Sequence, residues 1–185
     1  EQKKHVARAL KELRDGYVIV APLEHGYVYL ADAFSHYSVR AMHVLRKDAD
    51  GIAAQVLAHS AETVAGIARD ISDETNALMT EFWPGLLSLN LKPMRALTWD
   101  LGDDTELDLF SVRVPKSKFV KAILKESGPL AVASASPAAA RSTNGETEVR
   151  RAPRPVRWPA CWVSRRRIWR RMPKGMPGQP DDRHT

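Results

Sequence analysis

A single cysteine, Cys161, among 185 residues rules out an internal disulfide and any all-cysteine zinc site, which fits a reducing, cytoplasmic setting. No apolar run approaches the roughly 20 residues needed to span a bilayer, and no secretory leader is visible, so no membrane partner is expected. The chain opens on Glu1 rather than Met, which leaves room for missing N-terminal residues. Most of the chain also lacks a charge excess. Residues 1–140 carry 16 Lys+Arg against 18 Asp+Glu, a net of −2, whereas residues 141–185 carry 12 against 4, a net of +8. Lysine is scarce in that tail, with Lys174 alone against nine in the body, while Arg, Pro and Trp crowd in.

What is present is enough apolar residue, 44%, for one domain with a real core. Val6, Leu10 and Leu13 recur at helical spacing and Gly16 is a suitable stop, so a first amphipathic helix is expected. Tyr17–Ala21 and Tyr27–Ala31 are apolar and β-branched enough for two strands inside a sheet. The turn between them, Pro22-Leu23-Glu24-His25-Gly26, combines a fixed dihedral, a permissive glycine and two proton- or anion-handling side chains, which aims it at a site. A helix over Ser35–Arg46 places Val39, Met42 and Leu45 inward. Ala53–Ala58 reads as a strand, Ser60 as the cap of a helix reaching Ile71, and Asp73 as the cap of another ending at Glu81-Phe82-Trp83-Pro84-Gly85.

In Leu86–Lys92, alternation opposes Leu87, Leu89 and Leu91 to Ser88, Asn90 and Lys92, so one face is buried and the other wet. Asp108–Val114 repeats this with Phe110, Val112 and Val114 against Leu109, Ser111 and Arg113. An arginine in so apolar a strand needs a partner, and an anionic ligand is one candidate. A basic helix over Lys116–Glu126, stopped by Gly128-Pro129, and a strand over Leu130–Ala133 complete the alternation that argues for an α/β sheet. Beyond residue 140 no period persists, and the tail is expected to be mostly disordered.

Three stretches, Glu81-Phe82-Trp83-Pro84-Gly85-Leu86-Leu87-Ser88-Leu89, Ser111-Val112-Arg113-Val114-Pro115 and Gly128-Pro129-Leu130-Ala131-Val132-Ala133-Ser134-Ala135, together with Trp99-Asp100-Leu101-Gly102-Asp103, resemble the YrdC-like family of threonylcarbamoyl-AMP synthases in unbroken order. The resemblance implies a YrdC-like domain over 1–140, a twisted mixed sheet with flanking helices around a positively lined cavity, and a separate tail over 141–185. It also implies a reaction in which threonine and bicarbonate form a carbamate that attacks the α-phosphate of ATP, with Mg²⁺ on the triphosphate. The product would serve threonylcarbamoyladenosine modification of transfer RNA, with tRNA or double-stranded RNA as candidate partners. Such chemistry needs cations that hold phosphates and a carboxylate more than it needs a protein nucleophile. Carried onto this chain, the resemblance assigns ATP binding to Arg46 and Ser134 and threonine binding to Arg113, with no catalytic side chain and no protein-held metal.

This sequence departs from the family pattern at Leu23 and His25, where threonines are usual, at Val28, at Asp48 and at Ser136. An aspartate in place of a phosphate-binding arginine removes a contact of about 1.5 to 3 kcal/mol and adds repulsion. Weak or absent activity is therefore expected, and a non-catalytic paralogue that binds nucleotide or double-stranded RNA is the alternative. Arg113 reads either as a carboxylate clamp or as the partner of Asp108 or Glu106, with the clamp favoured. His25 is read as a solvated turn residue rather than a base, Phe82-Trp83-Pro84-Gly85 as structural, and the acidic run Asp100, Asp103, Asp104 and Glu106 as solvated surface. His36 and His43 are too far apart along one helix to chelate a metal. The Arg-Trp segment Arg165–Arg171 has the composition of an RNA clamp, but the stronger reading of this tail is a GC-rich gene read out of frame after about Ala140.

Overall fold

The computed structural model describes residues 1–24, 26–97, 99–103 and 108–135. His25, Asp104, Glu106, Ser136 and the tail, which carried several of the expectations above, lie outside them. The chain order is α1 (Gln2–Arg14), β1 (Ile19–Leu23), β2 (Gly26–Asp32), α2 (His36–Arg46), β3 (Gln55–Leu57), α3 (Ala61–Ile67), β4 (Ala68–Arg69), α4 (Asp73–Phe82), β5 (Leu89–Pro93), β6 (Phe110–Arg113), α5 (Lys118–Ser127) and β7 (Leu130–Ser134). Seven strands form one mixed sheet in the order β1-β2-β7-β3-β6-β5-β4, with β3 and β6 parallel and the other pairs antiparallel. This is the α/β architecture expected.

Helices cover both faces of the sheet. Val6, Ala9, Leu10 and Leu13 of α1 and Val120, Ile123 and Leu124 of α5 bury Ile19, Ala21, Leu30, Leu57, Leu130 and Val132 on one side. Val39 and Met42 of α2, Val64 and Ile67 of α3 and Met79 of α4 meet Ala31, Val56, Leu91, Phe110, Val112 and Ala131 on the other. The period-2 alternation of each strand thus feeds two cores at once.

The strands expected over 53–58, 86–92 and 108–114 are shorter, at Gln55–Leu57, Leu89–Pro93 and Phe110–Arg113, and three other differences have a clear physical cause. The first strand runs from Ile19 to Leu23, two residues later than its apolar character suggested, and it lies at the sheet edge rather than inside. It is buried because α1 and α5 cover its face, and Pro22, which has no N–H to give, is accommodated at an edge. Helix α3 stops at Ile67, because Ala68 and Arg69 pair with Pro93 and Lys92 and the Ile67 carbonyl takes the Met94 N–H at 2.9 Å. The cap of α4 is Ser72, whose hydroxyl accepts from the Thr75 N–H, rather than Asp73.

Candidate functional site

The β1–β2 hairpin closes between Leu23 and Gly26, so Glu24 stands in a two-residue connection and not in a five-residue turn. Its carboxylate is folded back onto the protein. Oε1 accepts from the backbone N–H of Lys116 and, at 3.3 Å, of Ser117, at the start of α5. Oε2 accepts from Nη1 and Nη2 of Arg113, both at 3.3 Å. Ser117 also caps α5 through the Val120 N–H, and its hydroxyl donates to the Pro22 carbonyl. Burial raises the Glu24 pKa, but its own backbone N–H, that of Lys116 and the Arg113 charge together outweigh this and hold it below the ordinary glutamate value. A carboxylate at a helix N-terminus is favoured by the same exposed N–H groups.

Arg113 is buried, at 8% exposure, at the end of β6. Besides Glu24 it donates to the Gly85 carbonyl at 3.1 Å. Its partner is therefore neither Asp108, as one reading of the sequence had it, nor any residue of its own strand; Glu106 lies outside the described residues. The described contacts engage three of the five N–H donors a guanidinium carries. Gly85 is fixed by its N–H donating to the Val114 carbonyl at 2.8 Å, and Trp83 by its indole N–H on the Leu87 carbonyl at 2.7 Å. The Phe-Trp-Pro-Gly segment thus acts structurally, and one thing it positions is the carbonyl under Arg113. Only glycine fits at position 85, because a Cβ there would lie 2.1 Å from the Phe82 carbonyl oxygen.

Arg46 and Ser134, far apart in sequence, are brought together: Nη1 of Arg46 donates to the Ser134 carbonyl at 3.3 Å. Asp48 adjoins the same arginine. Its side chain, 3% exposed, receives Arg46 Nε at 3.0 Å and faces His43 Nδ1 at 2.9 Å, while His43 Nε2 faces the Leu101 carbonyl at 2.9 Å. The aspartate that looked like a repulsive substitution is held between two basic side chains, and its charge is spent on them. The Trp99-Asp100-Leu101-Gly102 loop closes over His43. Gly102, at φ +107°, leaves no room there for a Cβ, which would stand 2.5 Å from His43 Nε2 and 2.7 Å from the Ile52 carbonyl. His36 instead stacks on Tyr37, with ring centroids 3.7 Å apart.

Between these two ends runs a polar strip. Gln55 shares the face of Leu57, Ser111 that of Arg113, and Ser88 and Asn90 alternate with the inward leucines of β5. Helices α1 and α5 pack over β1 and β2 on this face, and here Gln55 and Ser111 are half-buried while Ser88, Asn90 and Lys92 are exposed. The wet face expected of Ser88, Asn90 and Lys92 is present. Gln55, which joins it, was missed; as one polar residue in an apolar run it gave a signal only in hindsight. Among the described residues no group of three His, Cys, Asp or Glu side chains is placed to hold a metal ion, and no helix is long and apolar enough to cross a membrane.

Residues 11–154 match the model of the Sua5/YciO/YrdC family, whose description is telomere recombination. The chain belongs to this family. Among Sua5/YciO/YrdC relatives, a Mycobacterium leprae protein named, by inference, threonylcarbamoyl-AMP synthase is 32% identical over 135 residues, covering 73% of this chain and 60% of the relative. A Mycobacterium tuberculosis protein of the same name is 30% identical over 135 residues, covering 73% and 61%. The chain thus spans about 60% of the length of these relatives. In fold it is similar to Sua5 of P. abyssi complexed with L-threonine (TM-score 0.66, 24% identity, 72% of this chain and 38% of the other). It is also similar to E. coli YciO (TM-score 0.63, 20% identity, 72% and 64%).

Proposed function

We propose that this protein is a threonylcarbamoyl-AMP synthase-like nucleotidyltransferase acting on L-threonine, bicarbonate and ATP. The observation that carries the reading is Arg113: a guanidinium buried at a strand end, held by Glu24 and Gly85 and with donor capacity beyond them. A fork of this kind suits a planar carboxylate. In the proposed reaction Arg113 holds the α-carboxylate of threonine, and Arg46, beside the end of β7, takes up nucleotide phosphate together with Ser134. The carbamate oxygen of threonine attacks the α-phosphorus, the bond to the bridging oxygen breaks, and pyrophosphate leaves with the electron pair. Mg²⁺ would arrive on the triphosphate oxygens, since such ions are commonly carried by substrate phosphates and waters.

Leu23 and the engagement of Arg46 by Asp48 favour a second reading, a paralogue that binds nucleotide or double-stranded RNA with little turnover. Pyrophosphate release from the full chain supplied with ATP, Mg²⁺, threonine and bicarbonate separates the two. Threonine-dependent release supports the synthase; binding of ATP or of double-stranded RNA, titrated in parallel, without release supports the paralogue; no release and no binding of either ligand rejects both.

A further inference from the structure

The charged cluster at the C-terminal end of α2 holds more than the proposed reaction uses. The His43 ring stands between two acceptors, the Asp48 carboxylate at Nδ1 and the Leu101 carbonyl at Nε2, both at 2.9 Å. The Leu101 carbonyl has no hydrogen to give and already takes the Ala54 N–H at 2.7 Å, while Asp48 is ion-paired with Arg46 Nε at 3.0 Å. Both ring nitrogens donate at once only when the imidazole carries two hydrogens and a positive charge. A neutral ring keeps one of the two bonds and sets a lone pair against the other acceptor. The arrangement is therefore that of a charged His43, and two cations share one carboxylate. Both cations stand in the last turn of α2, where the helix C-terminus favours positive charge.

That sharing decides how strongly Arg46 attracts an anion. The Asp48 side chain is buried and that of His43 largely so, which keeps salt from screening the pair, whereas Arg46 reaches past them to the Ser134 carbonyl through Nη1. The turn after α2 holds Asp48 beside the ring, since its N–H donates to the His43 carbonyl at 3.1 Å across Lys47 in the left-handed region at φ 59°. With His43 charged, two cations and one carboxylate leave a net positive charge; with His43 neutral, Asp48 cancels Arg46 alone. The other charged groups around the ring are Arg40, one turn earlier on α2, Lys47 and Asp50 after it, and Asp100 and Asp103 on the loop that closes over it. Asp100 is turned to the Gly102 N–H at 2.9 Å. Histidine is the side chain whose ordinary titration falls between pH 5 and 8. We infer that His43 is a positioning residue that sets the phosphate affinity of Arg46: charged, it draws the Asp48 carboxylate and leaves Arg46 available to an anion; neutral, it leaves Arg46 to Asp48. This inference rests on the proposed phosphate role of Arg46 and is common to both readings in which nucleotide binds.

The test is calorimetric titration of the full chain with Mg-ATP from about pH 5.5 to about pH 8.5, comparing wild type with His43→Gln and Asp48→Asn. Comparison at each pH removes the titration of the ligand's own phosphate. Wild type is expected to lose about three- to ten-fold more affinity than His43→Gln between the acid and alkaline ends. At the alkaline end His43→Gln should match wild type, whereas Asp48→Asn, which leaves Arg46 uncancelled, should bind about three-fold or more tightly. A merely structural role weakens both variants at every pH. Wild type and His43→Gln that change in parallel with pH, or an Asp48→Asn variant weaker than wild type at the alkaline end, overturn the inference and leave the proposed function intact. Wild type that does not bind Mg-ATP at any pH overturns the phosphate role of Arg46 and the inference together. If a variant does not fold, NMR titration of the His43 ring in wild type decides. By reciprocity Mg-ATP moves that titration to higher pH, and a titration that Mg-ATP leaves unmoved overturns the inference.

Discussion

Replacing Glu24 with alanine tests the ionic core of the site directly. The substitution removes the acceptor of two Arg113 bonds and of two N–H bonds at the start of α5, and it leaves a guanidinium that is 8% exposed without a counter-charge. Breaking a buried pair from one side costs about 3 to 5 kcal/mol, a large share of a typical domain stability of about 5 to 15 kcal/mol. Replacing both partners costs less, because no charge is stranded. Urea unfolding of wild type, Glu24→Ala, Arg113→Met and the double variant is therefore expected to give a coupling energy of about 1 to 3 kcal/mol. The pH dependence follows from the sign of the shift. The Glu24 pKa is depressed in the folded state, so the unfolded chain binds more protons between the two values and stability rises with pH there. The contribution is complete above the ordinary glutamate value of about 4.3 and drains as pH falls through the lower folded value. Glu24→Ala should flatten that acid limb. A loss below about 1 kcal/mol at neutral pH, or an acid limb unchanged by the substitution, would refute the argument.

Arg46→Ala should weaken ATP binding by about 10- to 100-fold, as expected for one charge-assisted phosphate contact, and leave threonine binding alone; calorimetry reads both. Gly85→Ala should cost about 1 to 3 kcal/mol or more through the 2.1 Å clash with the Phe82 carbonyl oxygen, seen as a lowered melting temperature. Leu124→Ala, at a position fully enclosed between α1, α5 and the sheet, should cost about 2 to 5 kcal/mol in urea unfolding without shifting ligand affinity measured on the folded protein.

The parts of the fold legible in the sequence are those where local pattern and burial agree. The alternation of Leu89 and Leu91 with Asn90 and Lys92 in β5, the helical spacing of Val6, Leu10 and Leu13, and the Ser60 cap of α3 all appear where local pattern put them. The site was legible only in part. Arg113 announced itself as an arginine among apolar neighbours, but its partner lies 89 residues earlier, and no local rule links the two. Asp48 was read by residue type as hostile to an anion. Its actual role depends on His43, one turn back along α2, and on Leu101, which reaches the same imidazole from 58 residues away. The edge position of β1 and the early end of α3 are likewise decisions of strand pairing, which a single segment does not carry.

The place of β7 has a consequence for how the chain is made. It is the last described strand in sequence, yet it stands between β2 and β3 and pairs with both. Until residues 130–134 have left the ribosome, the N-terminal hairpin and the β3-β6-β5-β4 half have no strand to join them, and Val28 of the hairpin lies open where Ser134 will pair. Pairing of β7 is therefore a keystone step in closing the sheet. Folding is expected to wait for these five residues and to be slow for its size, because the contacts that close the sheet span most of the chain.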